Sequence, residues 1–168
     1  MRRTSIILTT VMAFLLLASG IVFNACNSDP CKSLICKNNG ICRDGRCKCA
    51  SGYEGPNCAS KMYEKFIGTW DGSYRCNGSL PDIITNIIAP GDKPNEIQLY
   101  DIFDQGVTIK GVIDIDKLTI DAQTIGDVTY SGNGFIEGKY ITIYFTKKDN
   151  VTQNLFSCVY NATKFVQP

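Results

Sequence analysis

The 168-residue chain contains no histidine. That single absence removes the commonest general base and the commonest metal ligand. Ser–His–Asp and Cys–His catalysis are excluded with it, and so are the usual zinc hydrolase sites. A surplus of either charge is missing too: 17 Lys and Arg stand against 16 Asp and Glu, a net of +1. No basic stripe of the kind that binds nucleic acid is present, nor an acidic block of the kind that forms a disordered tail. Residues 61–168 lack a long helical period.

What the chain does have is cysteine. There are nine, an odd number that cannot all pair within one chain. The start of the sequence gives them a setting. Arg2 and Arg3 precede the mostly apolar run Ile6–Phe23, interrupted by Thr9, Thr10 and Ser19. This is the order of a secretory signal, so residues 1–25 are expected to be removed. An uncleaved anchor is the rival, the run being near the lower limit for crossing a bilayer. Without residues 1–25 the chain carries 15 basic and 16 acidic residues. Export implies an oxidising compartment, where disulfides persist.

Six cysteines crowd together: Cys31, Cys36, Cys42, Cys47, Cys49 and Cys58, with gaps of four, five, four, one and eight residues. So short a segment cannot bury an adequate core, and a disulfide framework has to replace it. Spacing alone leaves the connectivity open. The stretch CKNNGICRDGRCKCASGYEGPNC resembles an EGF-like domain through Asn39-Gly40 before Cys42, the Cys47-Lys48-Cys49 step, and Gly52–Asn57 before Cys58. The resemblance covers residues 31–58. It implies the pairs Cys31–Cys42, Cys36–Cys47 and Cys49–Cys58. Calcium-binding members carry acidic residues directly before the first cysteine; here that stretch is Asn27-Ser28-Asp29-Pro30, and no metal is expected.

Three cysteines remain. Cys76 ends the first strand-like run that follows, Cys158 lies in the last, and the two are expected to pair. Cys26 is left, directly after the apolar run and Ala25. A free thiol, a bridge to another chain and a lipidated N-terminus all account for it. Its position resembles a bacterial lipoprotein signal, in which the peptidase cuts just before a diacylated cysteine; Asn24 and Phe23 depart from the usual residues, as relaxed signals of Bacteroidota lipoproteins do. The alternative is an ordinary cut after Gly20. Residues 26–30 would then be a short linker between the lipid and the EGF-like module.

Residues 63–168 read as short β runs near 68–75, 83–89, 96–103, 107–113, 117–120, 129–136, 140–146 and 156–163. Breakers separate them, among them Asn77-Gly78, Pro90-Gly91 and Glu137-Gly138. The expectation is a mainly β fold, with an antiparallel barrel or sandwich of about eight strands. In FIGTWDGSYRC, Gly68-Thr69-Trp70 resembles the Gly-x-Trp signature of lipocalins. That resemblance implies a barrel whose end is closed by Trp70 beneath a basic side chain of the last strand, with Lys164 the counterpart. The domain is short for a lipocalin and lacks the family's second loop motif. Its cysteine placement looks closer to compact lipocalin-like domains of Bacteroidota lipoproteins. Strands of about seven residues make a shallow barrel, and Phe103, Phe135, Tyr144 and Phe156 are expected to fill it, with a ligand-holding cavity the alternative.

Asp114 and Asp116 alternate along one run, so their carboxylates are expected to share a face. A solvated face is the plainer account of such a pair. Asn77, Asn150 and Asn161 begin glycosylation tripeptides, relevant only in a eukaryotic chain. The functional expectation is a non-enzymatic lipoprotein without a cofactor, held on a bacterial outer membrane or cell surface by lipid on Cys26. An EGF-like spacer would present a small barrel to an apolar molecule, a glycan or a protein. A purely structural envelope protein and a soluble secreted protein are the alternatives.

Overall fold

The computed structural model describes residues 29–102 and 106–165. Cys26, the leader and Phe103 lie outside them.

The first module is small and stapled. Strands β1 (Ile41–Arg43) and β2 (Arg46–Lys48) form a hairpin. Asp44 and Gly45 connect them with φ of 49° and 74°, the paired left-handed conformation that favours Asp-Gly in a two-residue turn. Disulfides join Cys31 to Cys42, Cys36 to Cys47 and Cys49 to Cys58, the pairs that the EGF-like resemblance implied. Strand β3 (Tyr53–Glu54) pairs with β4 (Ser60–Lys61), so the module's ordered backbone reaches Lys61. A single 3-10 turn over Met62–Lys65 leads onward.

Eight strands follow: β5 (Gly68–Cys76), β6 (Asp82–Pro90), β7 (Glu96–Tyr100), β8 (Thr108–Asp114), β9 (Lys117–Ile125), β10 (Val128–Glu137), β11 (Tyr140–Asp149) and β12 (Leu155–Lys164). Each pairs antiparallel with its neighbour in sequence, and β12 returns to pair with β5, closing the barrel. Closure leaves no edge strand, although β6 runs past its pairing with β7 and β9 runs past its pairing with β8. Six of the eight strands run nine or ten residues, longer than the sequence suggested, so the barrel is deeper.

Alternation decides what faces inward. In β11, Ile141, Ile143 and Phe145 are buried, while Tyr140 and Tyr144 are exposed. The interior is packed by Phe66, Trp70, Tyr130, Phe145 and Tyr160 among aliphatic side chains such as Ile97, Leu99, Ile109 and Leu118. The expected fillers need correction. Phe135 and Tyr144 point to solvent, one residue out of phase with buried Ile136 and Phe145, and only Phe156 packs partly against the core. Phe103 falls outside the described residues.

Strand β9 was expected to stop at Ile120, and it continues to Ile125. A bulge explains the difference. Tyr130 faces Gln123 while Gly132 faces Ile120, so β9 spends one extra residue there. Asp121 and Ala122 are consequently both exposed, and the apolar alternation is lost. Beyond the bulge β8 and β9 splay apart. The Gln123 carboxamide fills the gap, accepting from the Lys110 N–H at 2.9 Å and donating to the Lys110 carbonyl at 2.8 Å.

Candidate functional site

Three features of the fold are candidates for function: the junction between modules, the barrel floor and the outer wall.

At the junction, the Lys65 ammonium lies 2.9 Å from Glu54 in the EGF-like module and 2.7 Å from Asp116 in the β8–β9 turn. Burial is the largest single influence on Lys65 and lowers its pKa. Hydrogen bonds to Asp116 and Glu54, with the charges of the two carboxylates, together outweigh it and hold the ammonium above its ordinary value. The Met62 N–H donates to the Gly52 carbonyl at 2.9 Å. Gly52, at φ 89°, sits so close to Pro94 that a Cβ there would lie 2.9 Å from the proline ring. The two modules therefore meet along a backbone hydrogen bond, an apolar contact and a shared cation.

This geometry also corrects the expected carboxylate pair. Asp114 is the last residue of β8, facing Lys117, and Ile115-Asp116 form the turn between them. Asp116 is thus committed to Lys65, and the two aspartates share no strand face. Among the described residues no three His, Cys, Asp or Glu side chains gather as a metal-ligating group.

The barrel floor is built around Trp70, which is fully buried. Its indole N–H donates to the Phe66 carbonyl at 2.8 Å. Lys164 faces Trp70 in register, with its Nζ 5.7 Å from the ring centroid, and donates to the Lys65 carbonyl at 3.1 Å. Burial pushes the Lys164 ammonium below its usual value. Gly68 at φ 132° lets the chain pass beneath this lysine, since a Cβ there would meet Lys164 Cε at 3.0 Å. The Tyr160 hydroxyl donates to the Trp70 carbonyl at 3.3 Å; burial, and then the Asp71 carboxylate, raise its pKa well above the ordinary value. At the other end of the same β5–β12 seam, Cys76 and Cys158 face each other in register and form a disulfide.

The outer wall carries the grooves. One of about 530 Å³ crosses β11, β12, β5 and β6, and its lining includes Tyr140, Thr142, Asn161, Ser73, Asp71 and Ile83. A second of about 520 Å³ lies beside Tyr144 and the β9 bulge. Sequence reasoning missed the first groove. Its residues come from four strands, and each alone reads as an ordinary solvent-facing position.

Residues 31–61 match the family model for a Teneurin-like EGF domain. Among solved structures, the chain is similar to a redesigned β-barrel at 12% identity and TM-score 0.45, covering 64% of this chain and 98% of that one. It is also similar to a protein of unknown function of the DUF3598 family from Nostoc punctiforme, at 9% identity and TM-score 0.41, over 60% of this chain and 48% of that one. A further protein of unknown function, from Bacteroides ovatus, is 11% identical with TM-score 0.38, over 58% of this chain and 41% of that one. The chain thus spans less than half the length of either natural neighbour.

Proposed function

We propose that this chain is a non-enzymatic envelope lipoprotein, tethered through acylated Cys26, in which the EGF-like module holds a binding barrel off a bacterial outer membrane or cell surface. One observation carries the proposal. Every cysteine among the described residues is bridged, eight of the nine in the chain. The ninth, Cys26, follows the apolar leader and is the residue that a lipoprotein peptidase would expose. Each buried acyl methylene contributes about 0.8 kcal/mol, and several chains together hold a protein firmly on a membrane.

The rest of the molecule supports such a tether. Four residues separate Cys26 from Cys31, and the cross-linked module passes directly into the barrel through the Glu54–Lys65–Asp116 network. A spacer of this kind transmits position rather than flexing. The packed barrel interior favours recognition on the wall over capture inside.

The test is intact mass and fractionation of the expressed protein. Wild type is expected in the membrane fraction, with a diacyl adduct on an N-terminal Cys26. Cys26→Ala is expected without the adduct and released to the soluble fraction. Wild-type protein that begins at another residue, or that carries Cys26 in a disulfide, overturns the proposal.

A further inference from the structure

We propose that the groove across β11, β12, β5 and β6 is a binding site for a neutral oligosaccharide. The proposal deepens the display role above and rests on it only for the protein's place at a surface. It begins with register. Thr142, Asn161, Ser73 and Ile83 stand side by side on consecutive strands, and Tyr140, Thr163, Asp71 and Thr85 form the adjacent row. All eight side chains project from the outer face. The middle of the groove carries short polar side chains, and its two diagonal corners are apolar: Tyr140 is 57% exposed and Ile83 is 93% exposed.

A pyranose ring has two kinds of surface, an apolar C–H face and an edge of hydroxyl groups. The groove offers a partner for each. The Tyr140 ring and the Ile83 side chain are pads for C–H faces, exposed among the described residues. Tyr144, half exposed, repeats the motif two residues beyond Thr142 on the same face of β11. Tyr140 and Tyr144 are separated by about 13 Å along the strand, a span that suits several linked sugars better than one.

The polar groups are already oriented. Thr142 donates to Asn161 Oδ1 at 3.1 Å, which fixes the carboxamide and leaves its Nδ2 hydrogens for a ligand. Thr85 donates to Asp71 Oδ1 at 2.7 Å, so the carboxylate keeps its second oxygen as an acceptor. Thr163 donates to the Asp71 carbonyl at 3.3 Å. Preorganised donors and acceptors lower the cost of ordering on binding.

Charge selects the class of sugar. Among the described residues the lining between Tyr140 and Ile83 contains no Lys or Arg and one carboxylate, Asp71; Arg75 stands on the next row, beside Val159 and Tyr144. A sulfated, phosphorylated or uronic glycan would meet that carboxylate unpaired, so the groove disfavours polyanions. A protein interface typically centres on a contiguous apolar core; here Asp71, Ser73 and Asn161 interrupt the largely apolar lining between Tyr140 and Ile83.

The experiment titrates purified protein with cellohexaose, chitohexaose, laminarihexaose and mannohexaose, with a heparin-derived hexasaccharide as the charged comparison. Calorimetry measures affinity, and NMR follows the Asn161 side chain and the Ser73 amide. At least one neutral hexasaccharide is expected to bind saturably and to shift both signals. Tyr140→Ala and Asn161→Ala should each weaken binding about tenfold or more, Tyr140→Phe should retain it, and Lys110→Ala on the opposite wall should leave it unchanged. Melting curves verify that each variant is folded, as expected for exposed positions. No binding by the neutral panel, binding by the heparin fragment alone, binding indifferent to Tyr140→Ala, or occupation by a protein that the sugars do not displace would each overturn the proposal. Cys26→Ala is titrated in parallel. A failed tether leaves sugar binding intact, and failed sugar binding leaves the acyl adduct intact.

Discussion

Lys164 and Trp70 face each other in register on the β12–β5 seam, with the ammonium 5.7 Å from the indole centroid. The pair joins the last strand to the first at the end where the EGF-like module meets the barrel. Trp70→Ala removes the largest buried side chain of the floor and is expected to cost about 3–5 kcal/mol. Lys164→Met keeps the aliphatic stem but loses the cation and its bond to the Lys65 carbonyl, for about 1 kcal/mol. Chemical denaturation of both single variants and the double variant measures the coupling; additive effects would show that the two residues act independently.

The hairpin turns offer a more unusual prediction. Gly126, Gly138 and Ile115 each stand first in a two-residue turn, with φ of 60°, 59° and 55°. Glycine is the residue that this turn favours, and a β-branched residue is strained there. Ile115→Gly is therefore expected to raise stability by about 1 kcal/mol. Its exposed side chain contributes little packing to lose. An unchanged or lowered denaturation midpoint would contradict this.

The junction cation makes a smaller, salt-sensitive contribution. Lys65 and Glu54 are each about one-quarter exposed and Asp116 is more than half exposed, so screening limits the pairs. Lys65→Met is expected to cost about 1 kcal/mol at low ionic strength, and less in molar salt. The raised native pKa means that this stability is fully present below the unfolded value and is lost as pH rises through the folded one. A comparison of wild type with Lys65→Met between neutral and strongly alkaline pH tests the sign.

At the opposite end, Asp149 Oδ1 accepts the N–H groups of Val151 and Thr152 at 2.8 and 2.9 Å. The Thr152 and Val151 bonds hold its carboxyl below the usual value. Here the sign reverses: the contribution is present above the unfolded pKa and is lost as pH falls through the native one. Asp149→Asn should therefore be less stable than wild type near neutrality, and the gap should close below about pH 4. A gap independent of pH would assign the effect to shape rather than charge.

Loss of the Cys76–Cys158 bridge has the largest expected effect on the unfolded chain. It links residues 82 apart, and the paired Cys→Ala variant is expected to lose about 3–4 kcal/mol. Equal stability under reducing and oxidising conditions would contradict that.

Much of the architecture was legible in the sequence because period-two alternation is a local signal. Tyr140 to Phe145 spells out a strand with one wet and one dry face. The module at 31–58 was legible because cysteine spacing is written linearly. What escaped depends on phase or on distance. The choice between Tyr144 and Phe145 as core residue turns on a one-residue phase that two adjacent aromatics do not reveal. The bulge at Asp121-Ala122 erased the alternation on which the strand assignment relied. The Glu54–Lys65–Asp116 contact joins residues as much as 62 positions apart, and the groove assembles residues of β5, β6, β11 and β12. Neither leaves a trace in any short window of sequence.

The disulfide on the barrel seam also has a mechanical consequence. Suppose the chain is tugged between an anchored N-terminus and its last strand. Load reaches the Cys76–Cys158 bond before it reaches the six whole strands enclosed between those residues. Only the stretch from Gly68 to Cys76 and the stretch after Cys158 are free to peel. Shear or drag on such a protein at a cell surface would lengthen it by a short, fixed increment and leave most of the barrel folded.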